Sequence, residues 1–302
     1  MLLSAPFRLF QLLMNKFYFL SLLGLFTIIV FSSCSSVQIE EGSYEGRAQL
    51  VVRTSKATYW YDRAGGGLSR LIDSRGNDWI GFKKDPLSEY PASAAAGFRG
   101  MPNFVFQSDD GGAGHPGFDQ CISEILDGNK IRTTSISGKW QWTWTFYDTY
   151  ASVTMEKVDT NHAYWFLYEG TPGGKYAPDT HYWGTDTEGY QTNIPDYYAG
   201  ERVIGNWRWA YFGDQSTDQL LFIGMSEQDE HNDLLGFLGN TENGLSSPDG
   251  MVVFGLGRQK GAIPLMTAVN NTFYLGLLDQ SVSSSDEHES VATAIQTLLS
   301  GK

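Results

Sequence analysis

Cysteine is almost absent from this 302-residue chain, which contains only Cys34 and Cys121. So few cysteines exclude a disulfide-rich scaffold and a cysteine-based zinc site. The sequence also lacks a phosphate-binding glycine motif, a GxSxG elbow and a CxxC pair, so nucleotide-binding, serine-hydrolase and thiol-redox functions have no support. Stability must come from a hydrophobic core, and the chain is long enough to bury one.

Basic residues are scarce as well. The chain has 21 Lys and Arg against 34 Asp and Glu, a formal net charge of −13. Affinity for phosphate backbones comes from Lys and Arg, so this composition argues against nucleic acid as a partner. An anionic glycan would need a local basic pocket.

The N-terminus carries a secretory pattern. Lys16 precedes an apolar run over residues 17–30, and small residues follow before Cys34. The run has 14 residues, fewer than the ~20 that a membrane-spanning helix needs. The FSSC end resembles a bacterial lipobox, which implies that Cys34 is lipidated, and Met14 already opens a complete signal. Ser35 after the cysteine implies, by the same resemblance, an outer-membrane location.

Three regions follow from these observations. Residues 1–33 are predicted to be a lipoprotein signal peptide, residues 34–46 a lipid-anchored tether, and residues 47–302 a single β domain. The predicted fold class is all-β, an antiparallel, supersandwich-like β-sandwich with a short C-terminal helix. That helix is predicted to begin at Ser284, with Glu287 three residues later as in a capping box.

Aromatic residues make up 14% of the chain. In KWQWTWTFY, Trp140, Trp142, Trp144 and Phe146 recur every second residue, which places four rings on one face of a strand. Such a face is either core or a platform for sugar rings. We predict core, because large apolar side chains are mostly buried. Cys121 lies in an apolar strand pattern and is predicted to be an inert core residue.

The most informative stretch is FRGMPNFVFQSDDGGAGHPG, residues 98–117. It gathers Arg99, Asn103, Asp109, Asp110 and His115 among many glycines. Glycine and proline disfavour a long helix, so a loop over a sheet is predicted, and loops often carry functional sites. We call residues 98–117 the glycine-rich stretch.

Residues 168–190 form the second informative region, predicted to be a long functional loop. Its candidate residues are Tyr168, Glu169, His181, Tyr182, Trp183 and Asp186. The sequence predicts that this loop and the glycine-rich stretch share one concave face.

Proton-transfer chemistry on a sugar is the function that these residue types favour. His115 would exchange a proton, with Tyr168 or Glu169 as its partner across the cleft. Arg99 and Asn103 would hold a substrate carboxylate or ring oxygen. A polysaccharide lyase and an epimerase both use such residues. A hydrolase would instead pair Glu169 with a second carboxylate, for example Asp186.

The remaining substrate contacts are assigned to the second region. His181 and Asp186 are candidate sugar-binding residues, and Tyr182 and Trp183 are candidate stacking residues. No cofactor and no catalytic metal are predicted. The acidic SEQDEHND and DDGG segments offer oxygen ligands of the type that calcium prefers, so a structural calcium stays open.

One family resemblance adds to this interpretation. The RGMP segment that begins at Arg99, and the HPG segment that begins at His115, resemble the RGG, Pro and HG elements of the galactose-mutarotase-like superfamily. The preceding YDRAGGGLSRLIDSRGNDWI is similar to the opening hairpins of that β-supersandwich, so the resemblance covers roughly residues 58–118. It implies a substrate contact for Arg99 and an acid role for His115.

Two kinds of function therefore stay open from sequence alone. The first is an envelope lipoprotein that processes a polysaccharide or oligosaccharide by proton transfer. The alternative is a noncatalytic glycan-binding lipoprotein, whose aromatic residues would form an exposed platform. A purely structural envelope protein would instead bury the same polar groups in satisfied pairs.

Overall fold

Alternating strand patterns dominate the region after the predicted signal peptide. The computed structural model describes residues 37–82, 99–239, 244–247 and 250–301. The signal peptide and the lipidation at Cys34 lie outside these ranges. No helix in the described ranges is both long and apolar enough to cross a membrane.

The described residues form short strands and one C-terminal helix. In chain order they are β1 (Gln38–Tyr44), β2 (Arg47–Arg53), β3 (Ala57–Asp62), β4 (Gly67–Asp73), β5 (Cys121–Asp127), β6 (Lys130–Ser135), β7 (Gln141–Phe146), β8 (Tyr150–Lys157), β9 (Phe166–Gly170), β10 (His181–Thr185), β11 (Gly189–Gln191), β12 (Val203–Gly205), β13 (Trp209–Asp214), β14 (Leu220–Met225), β15 (Asp233–Leu238), β16 (Met251–Leu256), β17 (Arg258–Gln259), β18 (Ile263–Pro264), β19 (Thr272–Leu278) and α1 (Ser285–Leu299).

These strands pair into three main antiparallel sheets and one small hairpin. One four-stranded sheet has the order β1-β2-β3-β4, and another has the order β12-β15-β16-β9. A nine-stranded sheet has the order β11-β10-β13-β14-β19-β8-β7-β6-β5, and β17 pairs with β18.

The glycine-rich stretch joins the two four-stranded sheets. Met101 forms an antiparallel bridge with Leu68 of β4, and Gly100 forms one with Glu169 of β9. Both backbone hydrogen bonds of the second bridge measure 3.0 Å. The two small sheets therefore form one layer, with Gly100 and Met101 at its centre.

The core lies between this layer and the nine-stranded sheet. Side chains of all three sheets belong to one buried cluster. Across it, the rings of Tyr59 and Phe146 lie 5.2 Å apart, and those of Phe166 and Phe273 lie 4.8 Å apart. The predicted all-β sandwich is therefore confirmed. Trp140, Trp142, Trp144 and Phe146 are fully buried in this core, and Cys121 is buried at its edge.

The C-terminal helix covers the other face of the nine-stranded sheet. Val291, Ile295 and Leu299 of α1 pack with Trp209 and Phe222 of the sheet. Ser284 caps the helix, since its hydroxyl accepts a hydrogen bond from the Glu287 N–H at 3.3 Å. The predicted helix and its cap are confirmed.

Two boundary predictions are wrong. Residues 38–44 of the predicted tether form β1, because their backbone pairs along the whole of β2. The predicted loop over residues 168–190 contains the end of β9, all of β10 and the start of β11. Gly170, Gly184 and Gly189 lie within these strands, and both prolines lie in the connection between β9 and β10.

Candidate functional site

The bridge between Gly100 and Glu169 brings the two functional regions of the sequence together. In β9 the side chains alternate, so Phe166 and Tyr168 face the core while Leu167 and Glu169 face outward. The glycine-rich stretch folds back over this outer face and places His115 beside Glu169. Phe104 anchors the stretch from below, packing against Trp142 at a ring distance of 5.3 Å.

His115 and Glu169 form a buried acid–base pair. His115 Nε2 lies 3.5 Å from Glu169 Oε2, and the side chains are 0% and 12% exposed. His115 Nδ1 lies 2.8 Å from the Pro116 carbonyl oxygen. Because a carbonyl only accepts, Nδ1 carries a proton, and Nε2 is the ring nitrogen that faces Glu169. A proton reaching Glu169 can therefore be shared with His115.

Neither facing atom is satisfied elsewhere. Among the residues that the structure describes, His115 Nε2 and Glu169 Oε2 have no hydrogen-bond partner. Buried polar atoms are nearly always paired, so an unpaired acid and base facing each other point to a functional role. Gly100 leaves the room for this approach, since a Cβ there would lie 2.6 Å from Pro116 Cδ.

Two arginines flank the pair on the same face. Arg258, only 7% exposed, packs its guanidinium 5.0 Å from the ring of Trp165. Arg202 lies 4.6 Å from the ring of Tyr197, and Arg258 lies 5.8 Å from that ring. Glu169 interacts electrostatically with Arg258. The site is therefore a cationic patch on a strongly acidic protein.

A buried carboxylate fixes the position of Arg258. Asp233 accepts hydrogen bonds from the N–H groups of Trp207 at 2.7 Å and of Gly257 at 2.8 Å. Gly257 immediately precedes Arg258, so Asp233 holds the start of β17 against β15. Burial raises the pKa of Asp233 from 3.8 to about 7, although both N–H groups act in the opposite direction.

This pKa gives a stability prediction. Between about pH 4 and pH 7 the folded state keeps a proton on Asp233 that the unfolded state has lost. This contribution to the free energy of unfolding is therefore full below pH 4 and falls as the pH rises through 7. We expect a loss on the order of 2–4 kcal/mol, measured by urea unfolding across this range. Comparison with Asp233→Asn isolates the effect from other carboxylates, and identical pH profiles for the two proteins would refute it.

The structure places Arg99 and Asn103 near the pair but gives them different surroundings. Arg99 donates to the carbonyl oxygens of Gly81 at 3.3 Å and Gly250 at 2.8 Å, so it ties separate segments together. Asn103 is buried, and its Oδ1 has no hydrogen-bond partner among the described residues. Asn103 thus stays a candidate substrate contact, whereas Arg99 has a structural role.

The proposed role of Tyr168 in proton transfer is wrong. Its ring lies in the core, on the opposite side of β9 from Glu169, and its hydroxyl donates to the Trp79 carbonyl oxygen at 2.7 Å. Burial raises its pKa well above the ordinary value of 10.0. Alternation along the strand selects Glu169, not its neighbour, for the outer face.

The stacking roles of Tyr182 and Trp183 are also wrong. Both side chains are buried, on opposite faces of β10. The Trp183 indole donates to the Asn193 carbonyl oxygen at 2.7 Å, and the Val282 N–H donates to the Tyr182 hydroxyl. Neither ring is available to a sugar.

His181 and Asp186 belong to other parts of the nine-stranded sheet. His181 is buried, with Nε2 3.4 Å from Asp214 Oδ2, and burial lowers its pKa despite that carboxylate. Asp186 accepts a hydrogen bond from the Arg208 N–H at 3.2 Å, and burial raises its pKa. Neither contacts His115 or Glu169 among the described interactions, so the structure does not bring these two candidates together with the pair.

A separate cleft has no lining residue in common with the pair. It has a volume of about 680 Å³ and is lined by Tyr176, Ala177, Pro178, Asp179, Thr192, Ile194, Leu245, Ser246 and Ser247. It contains one carboxylate and no histidine, so it lacks a proton-transfer pair. Its Tyr176 packs on Gly250, the residue that Arg99 contacts.

The acidic segments considered for calcium are engaged in other contacts. Asp109 pairs with Lys139, Asp110 accepts a hydrogen bond from the Ser137 hydroxyl, and Asp229 pairs with His231. In the described ranges, no three His, Cys, Asp or Glu side chains converge as a metal site would require.

Comparison with solved structures supports the fold. The protein HI1317 matches with a TM-score of 0.50 and 10% identity, covering 80% of this chain and 96% of its own. A galactose mutarotase-like protein from Lactobacillus casei matches with a TM-score of 0.47 and 12% identity, covering 76% of this chain and 99% of its own. Heparinase III matches with a TM-score of 0.41 and 11% identity, covering 82% of this chain and 35% of its own.

Sequence comparison gives no family. No protein-family model matches the chain, and no curated protein matches it. At these low identities the likeness to solved structures concerns the fold alone. The likeness to HI1317 supports the β-sandwich fold alone, the resemblance to the galactose-mutarotase-like superfamily stays a prediction, and the reaction must be argued from the site.

Sequence reasoning missed the two arginines and Tyr197. Arg258 follows directly after the apolar run of β16, where a single charged residue among buried neighbours was the available signal. Arg202 and Tyr197 lie in a polar segment with no distinctive pattern. Their position beside Glu169 depends on strand pairing between distant parts of the chain.

Proposed function

We propose that this protein is a carbohydrate-processing enzyme that transfers a proton to or from a sugar through Glu169. The proposal rests on the distance of 3.5 Å between His115 Nε2 and Glu169 Oε2, beside a cationic patch. Neither atom has a hydrogen-bond partner among the described residues. Glu169 is the more accessible member of the pair and would touch the substrate. His115 is fully buried and would act through Glu169 as a positioning residue.

The geometry suits a base that shares the proton it has removed with a neighbouring side chain. When Glu169 removes a substrate proton, His115 Nε2 can share it, and the resulting imidazolium is held by the Pro116 carbonyl oxygen. A lyase would use this base at the carbon next to a carboxylate. An epimerase would use it on the anomeric hydroxyl, with a separate acid at the ring oxygen.

We further propose that the enzyme acts in the bacterial envelope, attached to the outer membrane through a lipid on Cys34. Support for this location comes from the lipobox-like FSSC sequence. In that setting the substrate would be a polysaccharide or oligosaccharide encountered at the cell surface or in the periplasm.

The proposal is tested with a panel of uronic-acid and neutral glycans incubated with the purified protein. Ultraviolet absorbance detects unsaturated lyase products, reducing ends detect hydrolysis, and optical rotation detects epimerisation. A signal in absorbance or rotation supports proton transfer on a sugar. Reducing ends alone would replace it with hydrolysis, and retention on a glycan column without turnover would favour the binding-module alternative.

His115→Asn should lower kcat by roughly 10²-fold, since the variant can still donate to Pro116 but cannot share a proton with Glu169. KM should change little, because the His115 side chain is fully buried and does not touch the substrate. His162→Asn is the matched control, since His162 pairs with Asp159 in another part of the structure. An unchanged kcat in a folded His115→Asn variant would refute this role for His115.

A further inference from the structure

The cationic patch beside Glu169 is not neutralised by the protein. In the part of the chain that the structure describes, no carboxylate forms an ion pair with Arg258 or Arg202, although Glu169 interacts with Arg258 at longer range. The two guanidinium groups also repel each other. A chain of net charge −13 has many acidic residues available for pairing, so this local excess of positive charge is unusual.

Hydrogen-bond donors in the patch are unsatisfied too. Arg258 Nε and Nη1, Arg202 Nε and Trp165 Nε1 are buried atoms without a hydrogen-bond partner among the described residues. Arginine stays protonated even when it is buried, so these donors cannot be removed by titration. An unpaired buried charge is costly, and an anion bound at this position would offset that cost.

A glycine makes the space that the Arg258 side chain occupies. This side chain lies across Gly255 of β16, where a Cβ would approach Arg258 Cδ to 2.7 Å. Trp165 supports its guanidinium, and Phe106 stacks on that indole at a ring distance of 4.9 Å. The side chain is therefore held in place, with Nε and Nη1 left for a ligand.

From this geometry we infer that Arg258, assisted by Arg202, binds the carboxylate of an acidic sugar and presents that sugar to Glu169. The inference rests on the proposed function of the same site and names its substrate class, a uronic acid or a glycan that contains one. A carboxylate matches the planar fork of a guanidinium group, which can donate two parallel hydrogen bonds.

This assignment also explains the choice of base. A neutralised carboxylate acidifies the hydrogen on the adjacent carbon. Glu169 would take that proton, and the electron pair of the broken C–H bond would move into the carboxylate as an enolate. The enolate then either expels the oxygen substituent of the neighbouring carbon, which takes a proton from solvent as it leaves (elimination), or regains a proton from solvent on the opposite face (epimerisation).

The test compares D-glucuronate with D-glucuronamide, which has the same ring but no charge. Calorimetric titration of the wild-type protein should show at least tenfold tighter binding of glucuronate, weakened by salt. Arg258→Gln should make the two affinities equal, and Arg258→Lys should restore part of the difference. Arg132→Gln, at a surface arginine paired with Glu156, should leave the preference unchanged.

Two results would overturn the inference: equal binding of both ligands to the wild-type protein, or an unchanged preference in a folded Arg258→Gln variant. If that variant does not fold, the wild-type comparison and its salt dependence decide. Arg258-dependent glucuronate binding without turnover of any glycan would refute the proposed function and keep the subsite. Turnover of neutral sugars without a preference for glucuronate would keep the proposed function and refute the carboxylate subsite.

Discussion

Glu169→Gln will abolish turnover while leaving the fold intact. Glutamine has nearly the same shape but cannot accept a proton, so kcat should fall by at least ~10³-fold, within the range known for general acid–base groups. The backbone bridge between Gly100 and residue 169 does not depend on the side chain, so thermal unfolding should change little. The measurement is initial velocity on the best substrate of the glycan panel, together with the unfolding temperature.

Substrate affinity separates chemistry from binding in this variant. Removal of the Glu169 charge takes away repulsion toward an acidic sugar, so Glu169→Gln should bind glucuronate at least as tightly as wild type. Glu124→Gln, at an exposed position of β5, is the matched control and should be fully active. Full activity in Glu169→Gln would refute its assignment as the base.

Phe104→Ala will lower the free energy of unfolding by about 3–5 kcal/mol, the usual cost of removing a buried aromatic ring. Phe104 is fully buried and packs on four rings, which are Trp142 at 5.3 Å, Phe166 and Phe273 at 5.8 Å, and Tyr164 at 6.1 Å. Because Phe104 anchors the glycine-rich stretch, activity should fall along with stability. Urea unfolding followed by tryptophan fluorescence measures the change.

Two variants bracket this effect. Phe104→Leu keeps most of the buried apolar volume and should be clearly milder. Ile122→Ala removes an apolar side chain that is 70% exposed, so it should change stability by no more than ~0.5 kcal/mol. If Phe104→Ala were as stable as Ile122→Ala, the glycine-rich stretch would not be anchored through this ring.

Local patterns predicted those parts of the fold that depend on local physics. Alternation found the strand with Trp142 and Trp144, and the Ser284–Glu287 spacing found the helix start. The glycine content of residues 98–117 identified a loop that folds over a sheet and carries His115. Each of these features depends on residues within a few positions of one another.

Long-range pairing decided the rest. Tyr168 and Glu169 are adjacent in sequence, and only the direction of the core shows which of them faces the site. Tyr182 and Trp183 had the composition of a sugar platform, but β10 lies inside the nine-stranded sheet and buries both. Arg258 reaches Glu169 because β16 pairs with β9, a contact between segments about 90 residues apart.

Proton exchange with solvent tests the central claim most directly. The wild-type protein, incubated in D₂O with the acidic glycan that it binds best, should introduce deuterium at the carbon next to the carboxylate. Proton NMR would record the loss of that signal or the appearance of an unsaturated product. The account predicts exchange in wild type, none in Glu169→Gln, and slow exchange in His115→Asn. Exchange at the wild-type rate in Glu169→Gln, or turnover without involvement of that proton, would contradict it.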